Sequence, residues 1–498
     1  MGLPDHDRWC GMNNRRYLEY LALAALFITF FGFFAVKVWD IDFWWHIAAG
    51  RNILDSGVIP SKDPFGVYDA DNACGQTVLK SEWLGQVLLY LPYRWFELDG
   101  IIFLRASVLA ICLAIVYLRC RLTATGSLFS LAITALAGLA ILHHTGERPQ
   151  LFSFLYMALI FLLLDEFIRS GKRWLLYCVP VIMLLWSNTH AGAVLGTAAL
   201  GLFSIGYMLE YRLLKGSFNS VQIKLLFMAT GMSVIALILA PSGFATFECI
   251  LIQQSGSLIR DRVSEYASPW ALWPVTLYYW LFIGVALTSL PGIINKTYLK
   301  QGAMVIALGT LSIIGYRFIP LFVLAVAPYV AASLDRLLSR IDPPRIAVNL
   351  LVLIAALAFL AYGYKQGRIF QHGSQENKFP AGAVAHIEAN KLGGKIFNTM
   401  NWGGYLIWKL PGIVQIFIDG RTLDSKRTVA YTHILWMTPE GQQFFEQENF
   451  DLALVPYGNV FTGERYPLVA YLSNHPDWQA VYQDATGYLF TRRTMVGR

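Results

Sequence analysis

Two carboxylates, Asp40 and Asp42, follow directly on an apolar run and stand among Trp39, Trp44 and Trp45. Tryptophan favours the membrane–water interface, where its ring is buried and its N–H stays hydrated. A carboxylate at that depth is costly and marks a functional site. Its chemistry would be that of a base, taking a proton from an acceptor hydroxyl, and Asp40 is the preferred residue for it. Residues two apart share a face only in extended chain. Joint binding of a divalent cation (Mg or Mn) by Asp40 and Asp42 therefore needs an extended backbone here. His46 follows close behind, and Glu82 and Trp83 lie later in the same polar segment. These three are candidates for positioning a substrate.

Polar residues gather at three further places: His143-His144-Thr145-Gly146-Glu147-Arg148-Pro149-Gln150, Asn188-Thr189-His190-Ala191-Gly192, and Tyr316-Arg317-Phe318-Ile319-Pro320. Each opens an apolar helix. A helix start presents unpaired N–H groups and the positive end of a dipole, and Pro149 and Pro320 suit a first turn. With Arg148, Arg317 and His190 beside them, such starts favour an anion at headgroup level. The anion found there is a lipid phosphate. His143, His144 and Arg260 are further candidates to hold it, and Glu147 and Asn188 to position substrate.

Each residue also has a structural reading. Arg148 and Arg317 suit snorkelling anchors, His143 and His144 solvated loop residues, and His190 a hydrogen-bonded core residue. Glu82 suits a solvated helix start, the tryptophans an interfacial belt, and Arg260 a loop pair with Asp261. Their coincidence at one depth favours the joint reading. A base removes the acceptor's proton, a cationic pocket receives a departing phosphate, and the reaction is glycosyl transfer from a lipid-phosphate-linked sugar.

The elements that must position these groups follow from composition. The 498 residues are 56% hydrophobic and 14% charged, against roughly a quarter charged in soluble proteins. Apolar runs of about 20 residues predict a polytopic α-helical membrane protein, and the alternating strands of a membrane barrel are absent from the pattern. Spans are expected near 17–38, 101–118, 127–142, 150–167, 174–187, 191–209, 223–240, 275–290, 302–315, 319–334 and 346–364. That makes about eleven, with a cytoplasmic N-terminus and an external C-terminus, because Lys and Arg favour the assigned inner loops. The net charge of +7 is spent on that asymmetry and does not imply nucleic acid. The first run is too long for a cleaved signal sequence and reads as a retained span. Within the outer segment 39–100, residues 43–54 and 82–95 read as amphipathic helices lying along the interface. Cys74 and Cys249 both face outward in this topology; spacing alone does not establish whether they pair.

The character changes near residue 365. Residues 1–364 form the predicted transmembrane catalytic domain and 365–498 a small external α/β domain. Its β-type runs fall at 395–398, 414–418, 452–455, 480–483 and 488–491. Trp402 and Tyr405 in Asn401-Trp402-Gly403-Gly404-Tyr405, and Asp419 and Arg421 in Phe417-Ile418-Asp419-Gly420-Arg421, are its candidate contacts. The second motif ends a strand, where α/β sheets bind ligands, which suits contact with an acceptor glycan or docking onto the membrane part; the alternative, slightly favoured, is a structural turn with an Asp–Arg pair.

Asp40-Ile41-Asp42-Phe43-Trp44-Trp45-His46, Gly57-Val58-Ile59-Pro60, Asp63-Pro64-Phe65, Glu82-Trp83-Leu84, Arg148-Pro149-Gln150, Trp186-Ser187-Asn188-Thr189-His190 and the two outer-domain motifs, taken in this order, resemble bacterial membrane proteins of the GT-C glycosyltransferase superfamily. The resemblance covers most of the chain. It implies a polyprenyl-phosphate sugar donor, inverting transfer, and an acidic residue of the first outer loop as base or metal ligand. Asp40 and Asp42 occupy that place. The superfamily includes metal-independent members, so a cation is not required by the resemblance. The setting it implies is the outer face of the bacterial cytoplasmic membrane, with membrane lipids around the chain and a glycan, lipid or protein as acceptor. One departure is His190-Ala191-Gly192, where His-Gly would be expected. Two rival readings are a transporter or flippase of lipid-linked glycans, which would place polar groups near the midplane between repeated halves, and a non-catalytic scaffold or sensor.

Overall fold

The computed structural model describes residues 6–66, 73–123, 125–214, 220–249, 267–289, 299–338, 344–458 and 463–493. The helices are α1 (His6–Phe34), α2 (Phe43–Ser56), α3 (Ala73–Ser81), α4 (Trp83–Leu122), α5 (Ser127–Ala140), α6 (Gln150–Ser170), α7 (Trp174–Thr189), α8 (Ala193–Leu214) and α9 (Ser220–Leu239). There follow α10 (Leu277–Ala286), α11 (Leu299–Ile314), α12 (Ile319–Leu337) and α13 (Arg345–Lys365). Among the described residues seven helices are long and apolar enough to cross a membrane, and four shorter apolar ones accompany them. Together they match the eleven expected. In hydrocarbon only a helix satisfies every backbone group within its own segment, which is why these runs fold so.

Two departures from the sequence reading matter for the site. Residues 82–95 and 101–118 belong to one 40-residue helical element, α4, broken by a non-helical backbone at Glu97 (φ 51°, ψ −137°). The break divides α4 into a segment before Glu97 and a segment after it. Helix α2 was expected to lie in the lipid interface, with its tryptophans as anchors. Instead Phe43, Trp44, Trp45, His46 and Ile47 are buried, because α2 is packed between α4 and the C-terminal part of the chain. Trp44 meets Phe379 and Tyr405 edge-on at 5.5 and 5.1 Å between ring centroids, contacts of about 0.5–1.5 kcal/mol each beyond their area. In water that burial is favourable; against lipid tails it would gain little.

A buried ion pair marks the other end of the bundle. Arg119 Nε donates to Asp165 Oδ2 at 2.7 Å, and Tyr329 donates to Asp165 Oδ1 at 3.1 Å. Pro328 sits inside α12 and has no N–H to give to the carbonyl four residues back. That carbonyl, Leu324 O, accepts from Arg119 Nη1 at 2.6 Å instead.

The five expected strands are all present as β1 (Gly394–Asn398), β2 (Val414–Ile416), β3 (Leu452–Pro456), β4 (Trp478–Gln483) and β5 (Gly487–Arg492). They form one sheet in the order β2-β1-β3-β5-β4. The β2-β1-β3 part is parallel and the β3-β5-β4 part antiparallel. Helices α14 (Ala381–Ala389) and α15 (Met400–Lys409) cross beside the sheet, and α15 packs on α2.

The first span ends at Phe34, earlier than expected, and residues 35–37 leave the helix for an isolated bridge between Val38 and Ser374. Val38 N–H donates to Gly373 O and Val38 O accepts from Gln375 N, both at 2.9 Å. A disulfide joins Cys74, at the start of α3, to Cys249 beyond α9. Those two cysteines therefore do pair. Disulfides persist in oxidising compartments.

Candidate active site

The site begins with the exit from α1, which delivers Asp40 and Asp42 just before α2. Asp40 is buried and Asp42 keeps 16% of its side chain exposed. Asp40 Oδ1 accepts from the Asp42 backbone N–H at 2.9 Å, a tight local turn. Arg148, from the loop before α6, spans the two carboxylates. Its Nε lies 2.6 Å from Asp40 Oδ2 and its Nη1 3.1 Å from Asp42 Oδ2. A forked guanidinium suits this bidentate bridge.

Behind the pair stands a residue not singled out in the sequence. Arg105, wholly buried on α4, pairs with Glu147 and donates to Phe34 O at 3.0 Å and Thr145 O at 3.1 Å. It also bonds Val36 O. Glu147 Oε2 accepts the backbone N–H of Asp40 at 3.0 Å. Glu147 was expected to position substrate; it is fully buried and positions the Asp40 backbone. The sequence signal for Arg105 was present: one Arg inside an apolar span, with no loop to claim it.

The second half is Glu82 at the start of α4. Its carboxylate lies between His46 Nδ1 at 3.8 Å and His190 Nε2 at 3.6 Å. Burial pushes the Glu82 carboxyl up to about 7, although the charges of Arg148 and Arg317 pull it down. Burial, and then the same two arginines, push His190 down to about 3. Burial holds His46 well below its usual range and His144 at about 4. Among these residues the positive charge of the pocket comes from Arg148 and Arg317, and burial favours the neutral form of the histidines.

The remaining candidates divide. Trp83 Nε1 donates to Asn188 Oδ1 at 2.8 Å, tying α4 to the end of α7. His144 stacks on Tyr316 at 4.2 Å between centroids and bonds Tyr316 O at 3.1 Å. Through these contacts it supports the turn that carries Arg317. His143 is exposed and is not drawn into the cluster. Arg260 lies outside the described residues.

The C-terminal motifs close the site from above. Gly420 sits against the Asp42 carboxylate with no space for a side chain. Arg421 pairs with Asp419 Oδ2 at 2.6 Å and reaches Asp63 of the first outer segment, Nη1–Oδ1 2.5 Å and Nη2–Oδ2 3.1 Å. Trp402 is buried, with Nε1 donating to Lys378 O at 3.1 Å, and Tyr405 stacks on Phe379. Arg421, oriented by Asp419, and Tyr405, through Trp44, join the C-terminal part to the Asp40–Asp63 segment, and Trp402 braces Lys378 within the C-terminal part. Lys378, another residue the sequence reading passed over, places its Nζ 4.7 Å from the Trp39 ring.

The donor set does not suit a divalent ion. Among the described residues no three His, Cys, Asp or Glu side chains converge on one point, and Arg148 occupies the position between Asp40 and Asp42 that a cation would take.

No family model matches the chain, and no curated protein sequence matches it. Solved structures do. ArnT from Cupriavidus metallidurans, bound to undecaprenyl phosphate, superposes with a TM-score of 0.57 over 98% of this chain and 98% of its own, at 13% identity. The Archaeoglobus fulgidus oligosaccharyltransferase in its apo form gives 0.59 over 88% of this chain and 70% of its own, at 10% identity. The same archaeal enzyme, AglB, with an inhibitory peptide and a dolichol-phosphate gives 0.57 at 9% identity, over 90% and 70%. The chain has the GT-C fold. Within that fold the multi-pass helical part and the C-terminal sheet of this chain both find counterparts, since the ArnT match runs almost end to end.

Proposed function

We propose that the protein is an integral membrane glycosyltransferase. It moves a sugar from a polyprenyl-phosphate donor to a glycan, lipid or protein acceptor on the outer face of the cytoplasmic membrane. The observation that carries this reading is Arg148, which bridges Asp40 and Asp42 while its charge, with that of Arg317, acts on Glu82 and His190. One residue thus joins a candidate base to a candidate phosphate pocket. The ArnT structure containing undecaprenyl phosphate agrees with that donor, and the Cys74–Cys249 disulfide agrees with an oxidising compartment.

In the proposed step the acceptor oxygen attacks the anomeric carbon as the bond from that carbon to the phosphate oxygen breaks. The acceptor's proton passes to the Asp40–Asp42 pair, and polyprenyl phosphate leaves toward Arg148 and Arg317. A single displacement inverts the anomeric centre. Asp40, tightly held, is the proposed base, and Asp42 its more exposed support. A positioned base contributes about 10²–10⁴-fold.

The test is purified protein in lipid, offered a panel of polyprenyl-phosphate sugars, with released polyprenyl phosphate measured. Asp40→Asn should lower transfer by that factor with donor still bound. Full activity of this variant would move the role to Asp42, and full activity of Asp42→Asn as well would remove the pair from the chemistry. If no sugar is transferred and labelled lipid-linked glycan crosses vesicles instead, the transporter reading replaces this one.

A further inference from the structure

The site contains a chain of directed hydrogen bonds that the proposed reaction has not used. Trp186 Nε1, which can only donate, gives its hydrogen to Ser153 Oγ at 2.7 Å. The Ser153 hydroxyl hydrogen is thereby left for His190 Nδ1, 2.8 Å away. Gly192 N–H, again only a donor, also points at His190 Nδ1, at 3.0 Å. Two donors on one ring nitrogen make Nδ1 the lone-pair side, so a neutral His190 carries its proton on Nε2.

Among the described residues no hydrogen bond takes up that proton. Nε2 stands 3.6 Å from Glu82 Oε1, beyond hydrogen-bond distance. On the other side of the same carboxyl, His46 Nδ1 is buried and without a hydrogen-bond partner among the described residues, 3.8 Å from Glu82 Oε2. A buried polar atom left unpaired is costly; His46 Nδ1 is one, and with His190 Nε2 it flanks the Glu82 carboxyl, an arrangement suited to a ligand oxygen.

We propose that Ser153 and Gly192 are positioning residues that fix His190 as its Nε2–H tautomer and aim that proton, beside Glu82, at an oxygen of the lipid phosphate. This rests on the donor proposed above. The charged and titratable groups facing His190 are Glu82, His46, Arg148 and Arg317. Burial, and then the two arginines, favour the neutral imidazole, so it acts as a directed donor and not as a third cation. Gly192 explains the spacing His190-Ala191-Gly192: a β-carbon there would lie 2.7 Å from His190 Nδ1 and 2.8 Å from Ser153 Oγ. The glycine needed for close approach stands two residues after the histidine, at the point where its N–H meets the ring.

The experiment uses the full chain in lipid nanodiscs, with polyprenyl phosphate as probe. Ring nitrogens of ¹⁵N-histidine protein are read by NMR, His190 being assigned by difference from His190→Gln. Wild type should show a protonated Nε2 and an unprotonated Nδ1 between pH 6 and 8. Ser153→Ala should mix the tautomers and weaken polyprenyl phosphate binding roughly tenfold, the scale of one charge-assisted hydrogen bond. Ser153→Thr should restore both, which loss of packing alone would not predict. A Ser153→Ala variant that keeps the wild-type ring signals and affinity overturns the assignment while leaving the proposed donor intact. Wild type that does not bind polyprenyl phosphate overturns the donor itself, and with it the target of the proton.

Discussion

Gly420 of the C-terminal part and Asp42 of the catalytic loop touch so closely that no β-carbon fits between them. The contact couples two motifs nearly four hundred residues apart, and Arg421 with Asp63 secures it one residue further on. Gly420→Ala should push the loop or the domain aside. We expect transfer to fall at least tenfold with the melting temperature lowered by only a few degrees, measured by polyprenyl phosphate release and by thermal unfolding in detergent. Unchanged transfer would mean the contact is incidental.

Arg105 and Glu147 form a wholly buried pair. Removing one partner leaves an uncompensated charge, at about 3–5 kcal/mol. Glu147→Leu and Arg105→Leu should each destabilise strongly. The double variant should not recover fully, because Arg105 also holds the carbonyls of Phe34 and Thr145. Full recovery in thermal unfolding would show that only the charge pair matters.

Glu82 gives a pH signature with a defined sign. Burial raises its folded value from 4.5 to about 7, so between those values the folded protein binds more protons than the unfolded chain. Stability should fall as pH rises from about 4.5 through about 7, then level. The loss is of order 1–3 kcal/mol, since part of the side chain meets solvent. Glu82→Gln cannot ionise and should remove that slope, making it more heat-resistant than wild type at pH 8.5. Parallel curves for the two proteins across this range would show that Glu82 does not titrate there.

The Cys74–Cys249 disulfide closes a loop with a separation of 175 residues. Such links typically contribute about 2–4 kcal/mol. Reductant should lower the melting temperature of wild type but not of Cys74→Ser. Mass spectrometry of protein alkylated without reduction should find Cys74 and Cys249 unlabelled; labelling of both would refute the bond.

Sequence periodicity located the spans and all five strands, because each is a local pattern of apolar residues. It also brought Asp40, Arg148, His190 and Arg317 to one depth, since helix starts and loop charges are local too. What it missed is set by distance along the chain. Arg105 holds Phe34, Thr145 and Glu147, and nothing local to Arg105 names those partners. The histidines were candidates for the phosphate by type, and burial favours their neutral form, which only the packing of α2, α4 and α7 decides. The tryptophans looked lipid-facing because α2 has an apolar face; the surface that covers it is contributed by residues around Phe379 and Tyr405. The break at Glu97 lies in backbone angles that residue type did not announce.

Both backbone groups of Val38, two residues before Asp40, are bonded to Gly373 and Gln375. The path that delivers the two candidate carboxylates is thus completed by peptide made after the last span. A nascent chain would carry every transmembrane helix and both aspartates and still lack the geometry for transfer. Activity would switch on only when the final segment has been synthesised, delivered to the same side and folded against its own beginning.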